Sequence, residues 1–320
     1  MSESKIIFSV IAPLYNEEDS VSLLYQKIKE AAETTKLMYE IIFVDDGSSD
    51  STVKVAEDLA KQDKKLRVVV FRRNYGQTPA MAAGIDIARG EILVTMDGDL
   101  QNDPQDIPMM INKLREGYDL VVGWRHKRKD KLITRKIPSI IANKLIGYVT
   151  GVPIKDNGCS LKVYKAEVVK NSPFYNEMHR FIPALLSLSG AKIAEVKVRH
   201  NARQFGQSKY GLSRIYKVLI DLLTIKTILS LGQHPIRWLV KLSLIPFLAS
   251  LIILLTFFNE ITSSNIVITS LVVLFFSLGA FLVSLGIITE LIYFKGSFQI
   301  RDASSLSIKQ QTSGLMGDKL

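Results

Sequence analysis

Four short apolar runs constrain the first hundred residues. Ile6–Ala12, Glu40–Val44, Leu66–Phe71 and Ile92–Met96 are each one strand long, and their apolar positions are nearly continuous rather than alternating. Runs of that kind mark strands buried on both faces. Between them lie stretches of helical length. Asn16–Ser20 opens one that runs to about Thr34, with acidic residues in its first turn. Ser51–Asp63 and the Ala-rich Thr78–Arg89, with Pro79 near its start, are the next two. A βαβαβαβ alternation predicts a mostly parallel sheet with helices on both faces. Asp119–Val122 reads as a fifth strand. There is no internal repeat or low-complexity tract.

Two of these strands end in carboxylates. Asp45-Asp46 follows the second run and Asp97-Gly98-Asp99 the fourth. In α/β sheets ligands bind outside the carboxyl ends of the strands. Hard divalent cations take oxygen ligands, usually one or two carboxylates completed by phosphate and water. Asp97 and Asp99 therefore read as a metal–diphosphate site, and the weight of that reading comes from the clusters around it. Asp45 and Asp46 have an alternative as helix caps beside Gly47-Ser48-Ser49. Function leads at Asp46; neither reading leads at Asp45.

The chain is 47% hydrophobic, unevenly distributed. Trp238–Phe258 and Ile266–Thr289 are long enough to cross a bilayer. Lys241 lies near the start of the first, where a lysine can snorkel. Glu290 closes the second, with Tyr293 as an interfacial anchor. The intervening segment, 259–265, carries Glu260 and no Lys or Arg, whereas the flanks carry Arg237, Lys241, Lys295 and Arg301. The positive-inside rule then puts both termini in the cytoplasm. Ala280 and Ser284 give a small-xxx-small spacing that permits helix pairing. The net charge of +10 points to an anionic partner: lipid headgroups, phosphates or nucleic acid. Residues 125–136 hold seven Lys or Arg. Ile137–Val149 and Ser213–Leu231 read either as basic amphipathic helices on a membrane surface or as core-facing helices. The single cysteine, Cys159, excludes an intrachain disulfide, and the N-terminus lacks a signal-peptide pattern. No Gly-x-Gly-x-x-Gly follows the first strand and no Walker A sequence occurs, which disfavours a nicotinamide enzyme and a P-loop enzyme.

In order and spacing, Val10–Glu17, Phe43–Asp50 and Met96–Gln101 resemble the family 2 glycosyltransferases, whose catalytic domain has the GT-A fold. Asp156–Tyr164, His179–Leu185 and Arg203–Tyr210 narrow the resemblance to the polyprenyl-phosphate glycosyltransferases. That group includes dolichol-phosphate mannose synthase and the bacterial enzymes that glucosylate undecaprenyl phosphate. The resemblance implies a GT-A domain over 1–210, amphipathic juxtamembrane helices over 211–235, two transmembrane helices over 236–294 and a cytoplasmic tail over 295–320. It implies that Pro13, Tyr15, Glu17 and Asp46 hold the base and ribose of a nucleotide. Asp97, Asp99 and Gln101 would hold Mg²⁺ or Mn²⁺ with the diphosphate. Asp156 would orient the sugar or the acceptor, a structural hydrogen-bonding role being the alternative.

A phosphate monoester has its second pKa near ~6 and is already an anionic nucleophile at neutral pH. Such an acceptor needs cationic positioning rather than a strong base. Arg125, Lys127, Arg128, Arg135 and Lys136 are the candidates, with Arg203, Ser208 and Lys209. The alternative for the basic run is a solvated segment on anionic lipid. The implied activity is inverting transfer of a sugar, expected to be glucose from UDP-glucose, to undecaprenyl phosphate at the cytoplasmic membrane face. GDP-mannose or a modified UDP-sugar is the alternative donor. A processive synthase is a rival, although Gln233–Trp238 has one residue too many for its Gln-x-x-Arg-Trp signature. A membrane scaffold with a degenerate transferase domain is the non-catalytic rival, and the intact Asp46, Asp97 and Asp99 count against it. The implied partners are a nucleotide sugar, polyprenyl phosphate and the bilayer, with no nucleic acid and with homo-oligomerisation open.

Overall fold

The computed structural model describes residues 5–126, 151–170, 182–188, 190–201, 235–258, 266–295 and 308–313, with the isolated positions 144, 147 and 227. The chain divides into two compact units, Met1–Leu222 with Gln299–Leu320, and Leu223–Phe298.

The first unit is built on an eight-stranded sheet. Its strands are β1 (Phe8–Leu14), β2 (Tyr39–Asp45), β3 (Leu66–Phe71), β4 (Ile92–Thr95), β5 (Leu120–Trp124), β6 (Lys162–Lys165), β7 (Ile193–Lys197) and β8 (Ile308–Ser313). They lie in the order β7-β5-β6-β4-β1-β2-β3-β8. The four strands expected from the apolar runs pair in parallel, β4-β1-β2-β3, and β5 pairs in parallel with β7. The mixed character comes from β6, antiparallel to β4 and β5, and from β8, antiparallel to β3. Residues 308–313, inside the segment expected to be a tail, thus contribute an edge strand.

Burial follows the pleat. On β1, Phe8, Val10, Ala12 and Leu14 pack on one face with α1 (Val21–Thr34), α2 (Thr52–Gln62) and α4 (Ile107–Arg115). Ile11 points to the other face, where α3 (Gln77–Ile87), α5 (Ala166–Val169) and α6 (Ile182–Leu188) pack. Covered on both sides, β2 is buried at every position, as its continuous apolar run requires. Gly84 lets α3 come close: a Cβ there would lie 2.4 Å from Ile11 Cγ2 and 3.2 Å from Val44 Cγ2. α1 begins at Val21 rather than near Asn16 because Asn16 has left-handed φ (54°), and the N–H groups of residues 16–18 are spent on the β2–α2 loop.

The second unit contains α7 (Pro235–Thr256) and α8 (Ile266–Lys295), packed along each other. Their hydropathy and length suffice to cross a membrane, and most of each span's surface is exposed, unlike a core helix. The pair is antiparallel: Ile236 N donates to Glu290 Oε2 (3.2 Å), Phe247 meets Phe276 edge to face, and Ser250 Oγ donates to the Val272 carbonyl (3.0 Å). Glu290, the acid at the end of the second span, caps the start of the first. Close approach runs through Gly279 and Gly286, where a Cβ would fall 2.8 Å from the Phe247 ring and 3.2 Å from Leu239 Cβ. Ala280 and Ser284 are exposed, so this pairing does not use the small-xxx-small spacing.

Candidate active site

The loops at the carboxyl edge of β1, β2 and β4 hold one another. Asn16 N donates to Ser48 Oγ (2.9 Å), Ser49 N to Asn16 Oδ1 (2.9 Å), Glu17 N to Thr52 Oγ1 (2.8 Å) and Ser51 N to Glu18 Oε2 (2.8 Å). These bonds put Pro13, Tyr15 and Glu17 on the same rim as Asp46. Pro13 is half-buried at the end of β1, and Tyr15 is exposed. The Glu17 carboxylate accepts from the Ser20 hydroxyl (2.5 Å).

The two adjacent aspartates divide their work. Asp45 is buried and closes its own turn, accepting from Ser48 N (2.9 Å) and Ser48 Oγ (2.5 Å). These bonds close a turn and cap no helix, since α2 begins only at Thr52 with Ser51 at its N-cap; the capping alternative is not realised at Asp45. Asp46 reaches across to the β3–α3 loop, with one oxygen on Tyr75 N (2.7 Å) and the other on Gly76 N (2.9 Å). Burial raises the pKa of both carboxyls, and the hydrogen bonds they accept oppose that rise. Gly47 completes the clamp. Its φ is +70°, and a Cβ would lie 2.4 Å from the Arg73 carbonyl carbon. Only glycine lets the 73–76 backbone lie on this turn.

Asp97 and Asp99 leave β4 over Gly98, where a Cβ would be 2.7 Å from Leu14 Cδ2 and 3.0 Å from the Pro13 carbonyl oxygen. The glycine between the carboxylates therefore seats them against the end of β1. Asp97 Oδ1 accepts from Gln77 Nε2 (2.5 Å), and Asp97 N donates to Ser160 Oγ (3.2 Å). Asn102 Nδ2 also donates to Ser160 Oγ (2.6 Å). Asp99 Oδ1 accepts from Gln101 N (3.2 Å), and the Gln101 carbonyl accepts from Asn201 N (2.8 Å). Leu100 makes this turn in the left-handed region (φ 59°) with its side chain in the core. For a non-glycine residue that costs roughly 1–2 kcal/mol. Burial and then the charge of Asp99 push the Asp97 carboxyl up. A divalent cation would relieve both, so the pair suits one. Among the described residues no group of three or more His, Cys, Asp or Glu could hold a metal ion. The donor set thus fits a cation that completes its shell with diphosphate oxygens and water.

Beside this pair lies a second charged cluster. Arg125, at the end of β5 just past Trp124, binds Asp156 through Nε to Oδ2 (2.7 Å) and a terminal nitrogen to Oδ1 (2.8 Å), and Arg125 N adds a third bond (3.2 Å). The side chains are 12% and 4% exposed, so this is a buried fork. Burial alone would lower the Arg125 pKa; the Asp156 carboxylate more than reverses this. The sequence-predicted acceptor cation and the predicted sugar-orienting carboxylate are therefore bound to each other. Lys162 on β6 is buried and donates to the Cys159 carbonyl. Burial pushes its ammonium down to about 8, opposed by the charges of Asp156 and Asp97.

Lys127, Arg128, Arg135, Lys136, Arg203, Ser208 and Lys209 lie outside the described residues, as do His179 and the segment Ser213–Leu231, apart from position 227. Gln77, Asn102, Ser160 and Lys162 were given no role by sequence reasoning. Ser160 and Lys162 fall inside the stretch Asp156–Tyr164 that carries part of the resemblance, which is the signal that could have found them. Gln77 had none stronger than its place after Gly76 at a helix start.

The family model described as "Glycosyl transferase family 2" matches residues 9–172. Dodecaprenyl-phosphate galacturonate synthase of Rhizobium johnstonii is 45% identical over 262 residues, 80% of this chain and 78% of that protein. Undecaprenyl-phosphate 4-deoxy-4-formamido-L-arabinose transferase of Proteus mirabilis is 34% identical over 291 residues, 89% of this chain and 87% of that protein. Among solved structures, glucosyl-3-phosphoglycerate synthase from Mycobacterium tuberculosis, in complex with Mn²⁺ and uridine-diphosphate-glucose, superposes with a TM-score of 0.55 at 19% identity. The match covers 69% of this chain and 79% of that one. The sheet and its helices are those of the GT-A fold. On the family match and the extent of the 45% identity, the chain belongs to glycosyl transferase family 2 and is a glycosyltransferase.

Proposed function

We propose that this enzyme transfers a sugar from a uridine diphosphate sugar to a polyprenyl phosphate at the membrane surface, with inversion at the anomeric carbon. The observation that carries the reading is the placement of Asp97 and Asp99 at the carboxyl end of β4, in a chain that also carries two bilayer-length apolar helices. The relatives named for dodecaprenyl and undecaprenyl phosphate support the acceptor class. The neighbour solved with Mn²⁺ and uridine-diphosphate-glucose supports the donor class.

Asp97 and Asp99 would hold a divalent cation, with Gln101 beside them. When bound, that cation supplies positive charge against the departing diphosphate. Pro13, Tyr15, Glu17 and Asp46 form the rim that receives the nucleotide, Asp46 by fixing the Tyr75–Gly76 backbone. The acceptor phosphate is already anionic and attacks from the side opposite the diphosphate, so no general base is demanded of the chain. Arg125 contributes its charge from a position locked by Asp156. The other cations, Lys127, Arg128, Arg135, Arg203 and Lys209, with Ser208, are proposed for the acceptor phosphate. The catalytic domain and both termini are proposed to be cytoplasmic. The pairing of β8 with β3 supports placing the chain after α8 on the side of the catalytic sheet.

Glucose is the sugar expected from the sequence, whereas the relatives are named for galacturonate and 4-deoxy-4-formamido-L-arabinose. The test is to incubate the purified chain and undecaprenyl phosphate with radiolabelled UDP-glucose, UDP-galacturonate, UDP-4-deoxy-4-formamido-L-arabinose or GDP-mannose in turn. One UDP-sugar should label the lipid fraction. Labelling by GDP-mannose alone would overturn the donor class, and labelling by none would overturn the proposal.

A further inference from the structure

We propose that Gln77 is the positioning residue of the cation site, fixing the Asp97 carboxylate from the start of α3. This rests on the reading of Asp97 and Asp99 as cation ligands. The Gln77 side-chain amide lies 2.5 Å from Asp97 Oδ1. An ionised carboxylate only accepts, so the amide nitrogen faces it. On its other side Asp97 meets Ser160, whose hydroxyl oxygen accepts from the Asp97 backbone N–H (3.2 Å) and whose side chain also hydrogen-bonds the carboxyl. A carboxylate with two rotatable side-chain bonds keeps one oxygen turned toward a cation when donors fix its orientation, and Gln77 supplies the donor at Oδ1. Partners of this kind orient metal ligands, and their loss typically costs ten- to a hundred-fold in metal affinity or activity.

The placement of Gln77 is built by the site itself. The residue before it, Gly76, has φ +103°, a conformation L side chains rarely adopt. Asp46 takes the N–H groups of Tyr75 and Gly76, and the Gly47 turn receives the backbone of Arg73 and Asn74. Three consecutive residues thus join the carboxylate on the nucleotide side to the carboxylate on the cation side. Asp46 holds Tyr75 and Gly76; Gln77 holds Asp97. Nothing in α3's packing demands a glutamine here, since the helix is anchored by Ala80, Met81, Ala83 and Ile85. The side chain is half-buried and its polar end is spent on Asp97.

The experiment uses the full chain in detergent with UDP at one fixed concentration. Mn²⁺ is titrated and free Mn²⁺ is read by electron paramagnetic resonance, for the natural chain, Gln77→Leu and Gln77→Met. Both variants remove the donor, and the unbranched methionine preserves the volume. Mn²⁺ affinity should fall at least about ten-fold in both. In the transfer assay the apparent KM for Mn²⁺ should rise by the same factor, with kcat recovering at saturating Mn²⁺. Residues that merely pack would not be rescued by metal. Unchanged Mn²⁺ affinity in a folded variant, beside a natural chain that binds Mn²⁺, would overturn the assignment of Gln77 alone. A natural chain that binds no Mn²⁺ would overturn the cation reading and this assignment with it.

Discussion

Lys162 brings an ammonium group into a strand that the sheet buries, a few residues from the Asp156 that Arg125 already neutralises. Its pKa falls from the ordinary 10.5 to about 8, chiefly through burial. Below pH 8 the lysine is charged in both the folded and unfolded chain, and the folded chain carries the whole desolvation cost. Between 8 and 10.5 the unfolded chain binds more protons, so this residue makes stability rise with pH across that window. The shift corresponds to roughly 3 kcal/mol. Relative to Lys162→Met, the natural chain should gain stability from pH 8 to 10.5 in urea melts; parallel curves would contradict this. The same residue shows what a sequence conceals. A lysine in a four-residue run reads as solvent-facing, so neither β6 nor the charge behind the site was legible. Asp97 and Asp99 were legible because an apolar run ends on them. Gln77, twenty positions earlier, touches Asp97 only because two loops fold over the sheet edge.

At the level of elements, the strands that could be read were those buried on both faces. β1 to β4 announce themselves as near-continuous apolar runs. β6, β7 and β8 do not: Lys162–Lys165 and Ile193–Lys197 mix lysines with apolar residues, and Ile308–Ser313 is largely polar. Their pairing with β4, β5 and β3 is a tertiary event. The position of α3 matters most to the site, because it carries Gln77. That helix sits low on β1 and β2 through Gly84. Gly84→Ala should improve helix propensity by about 1 kcal/mol, yet it forces a methyl to within 2.4 Å of Ile11. Overpacking of that kind costs typically ~1–3 kcal/mol. The net result should be a lower melting temperature, with a raised KM for Mn²⁺ as α3 lifts. A melting temperature at or above that of the natural chain would show that α3 tolerates displacement.

For the whole molecule, the proposed topology rests on two apolar helices and an edge strand from beyond them. A chain that crosses a bilayer twice returns to its starting side, and β8 pairs with β3 of the catalytic sheet. A cysteine introduced at Ser263, between the spans, should therefore react with an impermeant thiol reagent in intact cells. One at Ser313 should react only after the membrane is opened. Labelling at Ser313 in sealed cells would reverse the orientation. The spans were legible from length and composition alone, whereas the packing glycines Gly279 and Gly286 were not, because spacing on one helix says nothing about the facing side chain. The proposed activity is sugar transfer to a lipid phosphate, driven by the carboxylate pair at the edge of this sheet. It is tested most directly by measuring UDP release and lipid labelling together, with undecaprenyl phosphate and the accepted labelled donor, for the natural chain and Asp99→Asn. One lipid-linked sugar should form for each UDP released, and a chelator should abolish both. Asp99→Asn should retain its fold and lose at least ~10²-fold in turnover, about 3 kcal/mol of transition-state stabilisation. Undiminished turnover in Asp99→Asn, or UDP release with no lipid-linked product, would contradict the claim.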